Sequence, residues 1–305
     1  MIRHIHCVVM AVALAAPAAA LTVGASAAAE GASPVKPAKA TPKVKRQRWP
    51  VRRPKLSSGL PPRQDIKLVE GERLAFKVRM FGADAGEVVL AIGQRTEVGG
   101  RTLLPLAGFV RGSDFLSKFY PVNDKLVVLV DEKTFLPVKA DLYARENGNV
   151  VDYHTTFDQR TGLISQVRDK PKSKETVARN FTTAGPVYET LDSAYGARLL
   201  DLQLGATFQF MAWTNTRERL ITVKVAAVEK IWTEAFGFRE AYRLEMSGQV
   251  TGGFIKRSVL SEAPKKGTMW ISADDERIPL KVVMPTKLGD AEGLLIKRYI
   301  DHSAL

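Results

Sequence analysis

The 305-residue chain carries 45 Lys and Arg against 32 Asp and Glu, a formal charge of +13, and one cysteine, Cys7. Downstream of residue 7 it therefore has no disulfide, no thiolate metal site and no cysteine nucleophile. A body of this length can bury a sufficient core without such staples.

The start of the chain reads as an export leader. Arg3, His4 and His6 precede an apolar run from Val8 to Val23, and the small residues of ASAAA follow at 25–29. A charged start, an apolar middle and an A-x-A end are the parts of a secretory signal. Cleavage is expected after Ala29, with Ala18 to Ala20 as second choice, so residues 1–29 are assigned as leader. A membrane anchor is the alternative, but the run is alanine-rich and interrupted by Pro17. Cys7 precedes the run, where a lipoprotein's acylated cysteine would follow it. No later stretch is long enough to span a bilayer as a helix; Gly293 to Ile296 stops at Lys297 and Arg298.

Residues 30–67 form a basic, proline-rich tail. Eleven Lys and Arg stand against Glu30 and Asp65, a net +9, among seven prolines. Without Arg3, residues 30–305 carry +12, which leaves +3 for residues 68–305. The strong basicity thus belongs to the tail. Such a composition cannot bury enough apolar surface to offset chain entropy and stays extended, stiffened toward polyproline II. Lys43, Lys45, Arg46, Arg48, Arg52, Arg53 and Lys55 are the candidate contacts to an anionic lipid, lipopolysaccharide or cell-wall polymer. A solvated linker is the alternative. Nucleic acid is not expected as partner, because the leader implies export and Trp49 alone offers little stacking.

From Leu68 to the C-terminus the dominant pattern has period two. Leu74, Phe76, Val78 and Met80 alternate with Arg73, Lys77 and Arg79. Val151, Tyr153, Thr155 and Phe157 alternate with polar residues, and so do Ile221, Val223, Val225 and Ala227. Gly99-Gly100, Asn147-Gly148 and Gly289-Asp290 punctuate these runs; Asn-Gly is the strongest short hairpin signal, because both positions need positive φ. The expected fold is mainly β, a curved antiparallel meander or open barrel with one amphipathic helix near the middle. That helix is placed at Val187 to Leu200, from the spacing of Tyr188, Leu191, Tyr195 and Leu199. A shorter helical turn is expected within Ser113 to Tyr120.

Two stretches echo each other. VVLVDEKTFLPVK (127–139) and MWISADDERIPLK (269–281) align without gaps on Pro137 and Pro279, and GERLAF (71–76) corresponds to GATFQF (205–210). Two similar halves joined through the helix account for this; chance similarity between hairpins is the alternative. The same residues carry a family resemblance. GERLAFKV with AGEVVL, then VDEKTFLP, then LDSAYGARLLDLQLGATFQF, then WISADDERIPLK, in this order, resemble the bacterial envelope family called domain of unknown function 3108. The resemblance covers about Val69 to Ile300 and implies an exported protein of curved β architecture. It implies no catalytic residue, cofactor or ligand, and the basic tail lies outside it.

Direct signs of chemistry are sparse. His154 and His302 are the histidines beyond the leader, and no G-x-S-x-G, Walker A or G-x-G-x-x-G run is present. His154 shares a strand face with Asp152 and Asp158, one nitrogen ligand where structural zinc sites use four N or S ligands. Asp131-Glu132 and Asp274-Asp275-Glu276 are the carboxylate pairs that a glycan-processing hydrolase would need, but they sit where hairpin turns are expected. Trp213, Trp232 and Trp270 are candidate ligand-face aromatics for an acyl chain or sugar on a concave sheet, with core packing as the alternative. The leading expectation is a non-enzymatic, exported envelope protein that binds lipid or cell wall. The alternatives are the hydrolase and a scaffold that contacts another envelope protein.

Overall fold

The computed structural model describes residues 66–301, apart from 215, 255–259, 261–262 and 287–288, together with residue 303. The leader, the seven candidate tail cations and His302 lie outside the described residues. Ile66 and Leu68 are both buried, so packing begins at the end of the segment assigned to the tail.

Sixteen strands among the described residues form one sheet. The first run comprises β1 Glu72–Met80, β2 Ala83–Ile92, β3 Thr96–Val98, β4 Arg101–Gly112 and β5 Asn123–Asp131. It continues with β6 Pro137–Glu146, β7 Asn149–Asp158, β8 Leu163–Lys170 and β9 Glu175–Thr182. A short helix, α1 Asp114–Ser117, lies between β4 and β5. The connector holds β10 Val187–Glu189, α2 Thr190–Gly196 and a 3₁₀ turn at Ala197–Leu199. The second run is β11 Thr207–Thr214, β12 Arg217–Thr233, β13 Gly237–Gly253, β14 Lys265–Ser272, β15 Pro279–Thr286 and β16 Gly289–Ile300.

The spatial order is β10-β11-β12-β13-β14-β15-β16-β1-β2-β4-β5-β6-β7-β8-β9, with β3 paired to β4. The first and last strands therefore meet in the middle, with Glu72 opposite Ile300 and Met80 opposite Ala291. Two meanders are fused along that seam. Every pairing is antiparallel except β10 with β11, which runs parallel and makes the sheet mixed. The sheet curls until its two edge regions touch. Phe181 of β9 packs on Trp213 of β11 with ring centroids 4.7 Å apart, and the Arg179 guanidinium lies 4.3 Å from the Phe254 ring.

The alternation read from the sequence places the core. Leu74, Phe76, Val78 and Met80 are buried, as are Ile221, Val223 and Val225, and α2 lays Leu191 and Tyr195 onto the same cluster. Each such aliphatic or aromatic side chain contributes about 1.5–3 kcal/mol by leaving water. The interior is filled. The cavity between α2 and the sheet, lined by Phe76, Leu90, Tyr195, Met269 and Val282 among others, holds about 10 Å³. That is room for about one water and none for an acyl chain.

The connector departs from the expected continuous helix. Val187–Glu189 extends as a strand against Met211 to Trp213, and helix begins only at Thr190. The apolar spacing is satisfied by both conformations, and the unpaired edge of β11 decides for the strand. Tyr188 is buried there, with its ring edge-on to Phe210 at 5.3 Å.

The internal echo is present in the backbone. Gly71 and Gly205 both have positive φ, and each donates its N–H, at 2.9 Å in both cases, to a carbonyl on the following hairpin, Ile92 and Val225 respectively. Phe135 and Arg277, equivalent in the alignment, both have positive φ in the turns after β5 and β14. The gapless alignment holds on the second strand of each hairpin and is one residue out on the first. Val130 faces Pro137, whereas Ile271 faces Pro279, so the second turn is longer by one residue.

Candidate functional site

Three of the four sequence marks converge at one buried junction. Glu72 opens β1, Arg198 lies in the 3₁₀ turn, and Glu276 lies in the β14–β15 turn. Arg198 donates through Nη1 to Glu72 Oε2 at 2.5 Å and through Nη2 to the Glu276 carbonyl at 3.0 Å. Arg298 of β16 donates from Nε to Glu72 Oε1 at 3.0 Å and from Nη1 to the Glu276 carboxylate. Arg239 of β13 reaches Asp274 at 2.8 Å and Glu276 at 3.2 Å. Glu72 and Arg198 are almost fully excluded from water. Burial pushes the Glu276 carboxyl up, but Arg298 and Arg239 outweigh it and hold it below the usual range. The network ties the seam strand, the connector and the second meander together. Every carboxylate in it is engaged by a guanidinium, so its chemistry is structural.

A second buried carboxyl pair sits where α2 starts. Glu189 Oε2 accepts from the Leu191 N–H at 2.9 Å. Burial pushes the Glu189 carboxyl up to about 7, against the pull of backbone N–H groups at Leu191 and Thr190. Burial, followed by repulsion from Glu189, pushes Asp192 well above the usual carboxylate range. Burial also raises the Tyr195 phenol one turn on. All three groups are buried, and Tyr195 also lines the cavity of about 10 Å³ between α2 and the sheet.

The three candidate aromatics do not share a face. Trp213 is 2% exposed and packs at a 55° tilt on Phe181, so it belongs to the core rather than to a ligand surface. The concave side expected to receive a ligand is the filled interior. Trp270 is half-buried, donating Nε1–H to Glu229 Oε2 at 2.9 Å with Lys281 over its ring. Trp232 is exposed, opposite Phe238 at the tip of the β12–β13 hairpin.

The acidic turns are occupied by local roles. Asp131 Oδ1 accepts from the N–H groups of Lys133 and Thr134, and Arg95 bridges Glu132 at 2.5 Å and Glu70 at 2.6 Å. Asp274 Oδ1 accepts from Ser272 and from the Glu276 N–H. The two turns are six strand steps apart in the sheet, roughly 29 Å along it. A glycosidic pair needs about 5–10 Å across a cleft. His154 bonds to Asp141 through Nδ1 at 2.7 Å, with Asp169 at 4.0 Å from Nε2, while Asp152, on the same strand face as His154, pairs with Arg145. No group of three or more His, Cys, Asp or Glu side chains placed to hold a metal is found among the described residues.

The two ends of the sheet differ in character. One end receives residues 66–71 and carries the β5–β6, β12–β13 and β14–β15 turns. Val228, Trp232 and Phe238 are exposed there beside Glu234, Glu240, Asp274 and Asp275. The opposite end carries the β1–β2, β6–β7, β8–β9 and β15–β16 turns and α1. Its turn tips hold the exposed rings of Phe81, Phe115, Phe119 and Phe254, interspersed with exposed lysines. Sequence reasoning missed this grouping, because the four phenylalanines lie far apart in the chain and only the antiparallel order brings their turns to one end.

The folded body is thus a curled, fused double meander with an ion-paired seam. The sequence profile of DUF3108, a family described as protein of unknown function, matches residues 75–296, and the chain belongs to this family. Comparison with curated proteins gives no match. Among solved structures, the chain is similar to a beta-barrel-like protein of domain of unknown function DUF1849 from Brucella abortus. The identity is 10% and the TM-score 0.49, over 80% of this chain and 100% of that one. It is also similar to a protein of Bacteroides fragilis described as exported with a YmcC-like fold, at 10% identity and TM-score 0.29 over 79% and 99% of the two chains. A protein of Parabacteroides distasonis described as a lipoprotein gives 8% identity and TM-score 0.31 over 77% and 98%.

Proposed function

We propose that this is an exported envelope protein, processed after Ala29, whose β body is held at an anionic surface by the basic tail. The observation that carries this reading is the charge distribution, +9 on residues 30–67 against +3 on residues 68–305. Each Lys or Arg near an anionic lipid surface contributes about 1 kcal/mol, so seven clustered cations suffice for salt-sensitive attachment. The filled interior supports a body that works from its outer surface rather than by enclosing a ligand.

The test is co-sedimentation of the chain from Glu30 with anionic phospholipid vesicles or with isolated cell-wall sacculi. A second chain carries Gln at Lys43, Lys45, Arg46, Arg48, Arg52, Arg53 and Lys55. The first should pellet at low salt and be released near 1 M salt, where the Debye length falls to about 3 Å. The second should pellet far less. Equal pelleting of both chains at all salt concentrations refutes the attachment role.

A further inference from the structure

We propose that the body also docks directly on an anionic phospholipid surface, through the end of the sheet opposite the entry of the tail. This rests on the attachment reading above and adds an orientation to it. Phe81, Phe115, Phe119 and Phe254 enter the headgroup boundary, and the turn lysines contact lipid phosphate.

Most turns at this end contact a neighbour. The Phe81 ring lies against Gly289 of the β15–β16 turn. Ser113, which caps α1, donates to the Asp84 carbonyl at 2.9 Å. The Asn147 N–H reaches the Pro121 carbonyl at 2.8 Å, and Lys172 reaches the Gly148 carbonyl at 2.6 Å. These contacts link the β15–β16, β1–β2, β6–β7 and β8–β9 turns and α1; Phe254, Lys265 and Lys266 stand at the same end on β13 and β14. On this rim the four phenylalanines are 58–65% exposed, and Phe115 and Phe119 pack edge to face at 5.6 Å. Phe81, Phe115 and Phe119 reach into water from this end, while Phe254 also carries the Arg179 guanidinium 4.3 Å from its ring, a contact that an inserted ring keeps only if Arg179 stays at the interface.

The charges select the partner. Lys118, Lys172, Lys174, Lys265 and Lys266 are exposed at this end. Of its acids, Glu175 is paired to Arg168 and Lys170, and Asp84, Asp114 and Asp290 are exposed, Asp84 with Lys77 at 3.3 Å. Lysine is depleted in protein–protein interfaces, whereas a ring that inserts beside a lysine that snorkels is the pattern of a membrane-surface contact. The rival apolar tip at the other end, Val228, Trp232 and Phe238, carries mixed charge: Glu234, Glu240 and Asp275 are exposed beside it together with Lys230, and Asp274 is paired to Arg239. Both cationic elements can serve one surface. Thirty-six residues, 30–65, lead to the body, a segment whose contour can exceed the roughly 40 Å length of a 12-residue strand such as β4.

Residues 30–305 lack cysteine, so single labels can be placed cleanly. Phe115→Cys, Phe254→Cys and Trp232→Cys are made in the chain from Glu30 and labelled with the environment-sensitive fluorophore NBD. They are mixed with vesicles of phosphatidylcholine alone or with about one third phosphatidylglycerol. The expected result is a blue shift and brightening at 115 and 254 on anionic vesicles only, with none at 232. In parallel, Phe115→Ser with Phe119→Ser should keep the melting temperature and weaken partitioning roughly ten-fold. A shift at 232 in place of 115, or unchanged partitioning of the double variant, overturns the proposal. Pelleting without any shift also overturns it and leaves the tail as sole attachment. Failure to pellet at all removes the attachment reading itself.

Discussion

Arg198→Met should be among the most damaging single changes outside the apolar core. Arg198 is 1% exposed and Glu72 is 0% exposed. The substitution deletes the 2.5 Å bond to Glu72 and the 3.0 Å bond to the Glu276 carbonyl, while the buried Glu72 keeps only Arg298. Removing one partner of a buried pair costs about 3–5 kcal/mol, because the other charge stays desolvated. For a body of some 240 residues, each kcal/mol moves the melting temperature by about 2–4 °C. The expected drop is therefore about 10 °C, read by circular dichroism of the β signal during heating. Replacing Glu72 by Leu as well should recover part of the loss, since two apolar residues leave no stranded charge. A drop under about 1 °C for Arg198→Met refutes the reasoning, and so does a double variant that loses the sum of the two singles.

Three further outcomes follow from the same structure. Glu189 is held protonated up to about 7, while its unfolded counterpart ionises near 4.5. Stability should therefore fall as pH rises through 4.5 to 7, by about 3 kcal/mol from Glu189 alone, with Asp192 adding a loss of the same sign, and Glu189→Gln should make the profile shallower in denaturant titrations. Trp213→Ala should cost about 3–5 kcal/mol as a core cavity, whereas Trp232→Ala should stay within about 0.5 kcal/mol; thermal melts of the pair separate core from surface. At Gly86, with φ +151°, a Cβ would lie 2.2 Å from the Arg111 carbonyl oxygen, so Gly86→Ala should destabilise by more than about 2 kcal/mol in the same melts.

The long strands such as β1 were legible because one face is buried, so Leu74, Phe76 and Val78 print their alternation directly into the chain. The hairpin glycines were legible for the same local reason, as Gly99, Gly100 and Gly148 all have positive φ. Pairing across the seam was not legible. Nothing local says that β1 meets β16, some 220 residues away. The register of the echo was masked by a one-residue difference in turn length that a gapless match absorbs. One signal for the junction was available. Glu72 has the same strand parity as Leu74 and Phe76, and a charge on an apolar face implies a buried partner. Trp213 escaped correct placement because alternation separates the faces of an isolated strand but does not say which neighbour covers them. The packing of Phe181 on Trp213 decides this, and it depends on how far the sheet curls. The surface role of the phenylalanines was hidden for a similar reason, since exposure at a turn tip has no periodic signature.

The most direct measurement is the mass and location of the native chain in its own cells. After fractionation, the account predicts a species beginning at Glu30, recovered with the envelope and released from it by about 1 M salt. An intact chain from Met1 found in the cytosol would contradict the account, as would envelope association that high salt leaves unchanged.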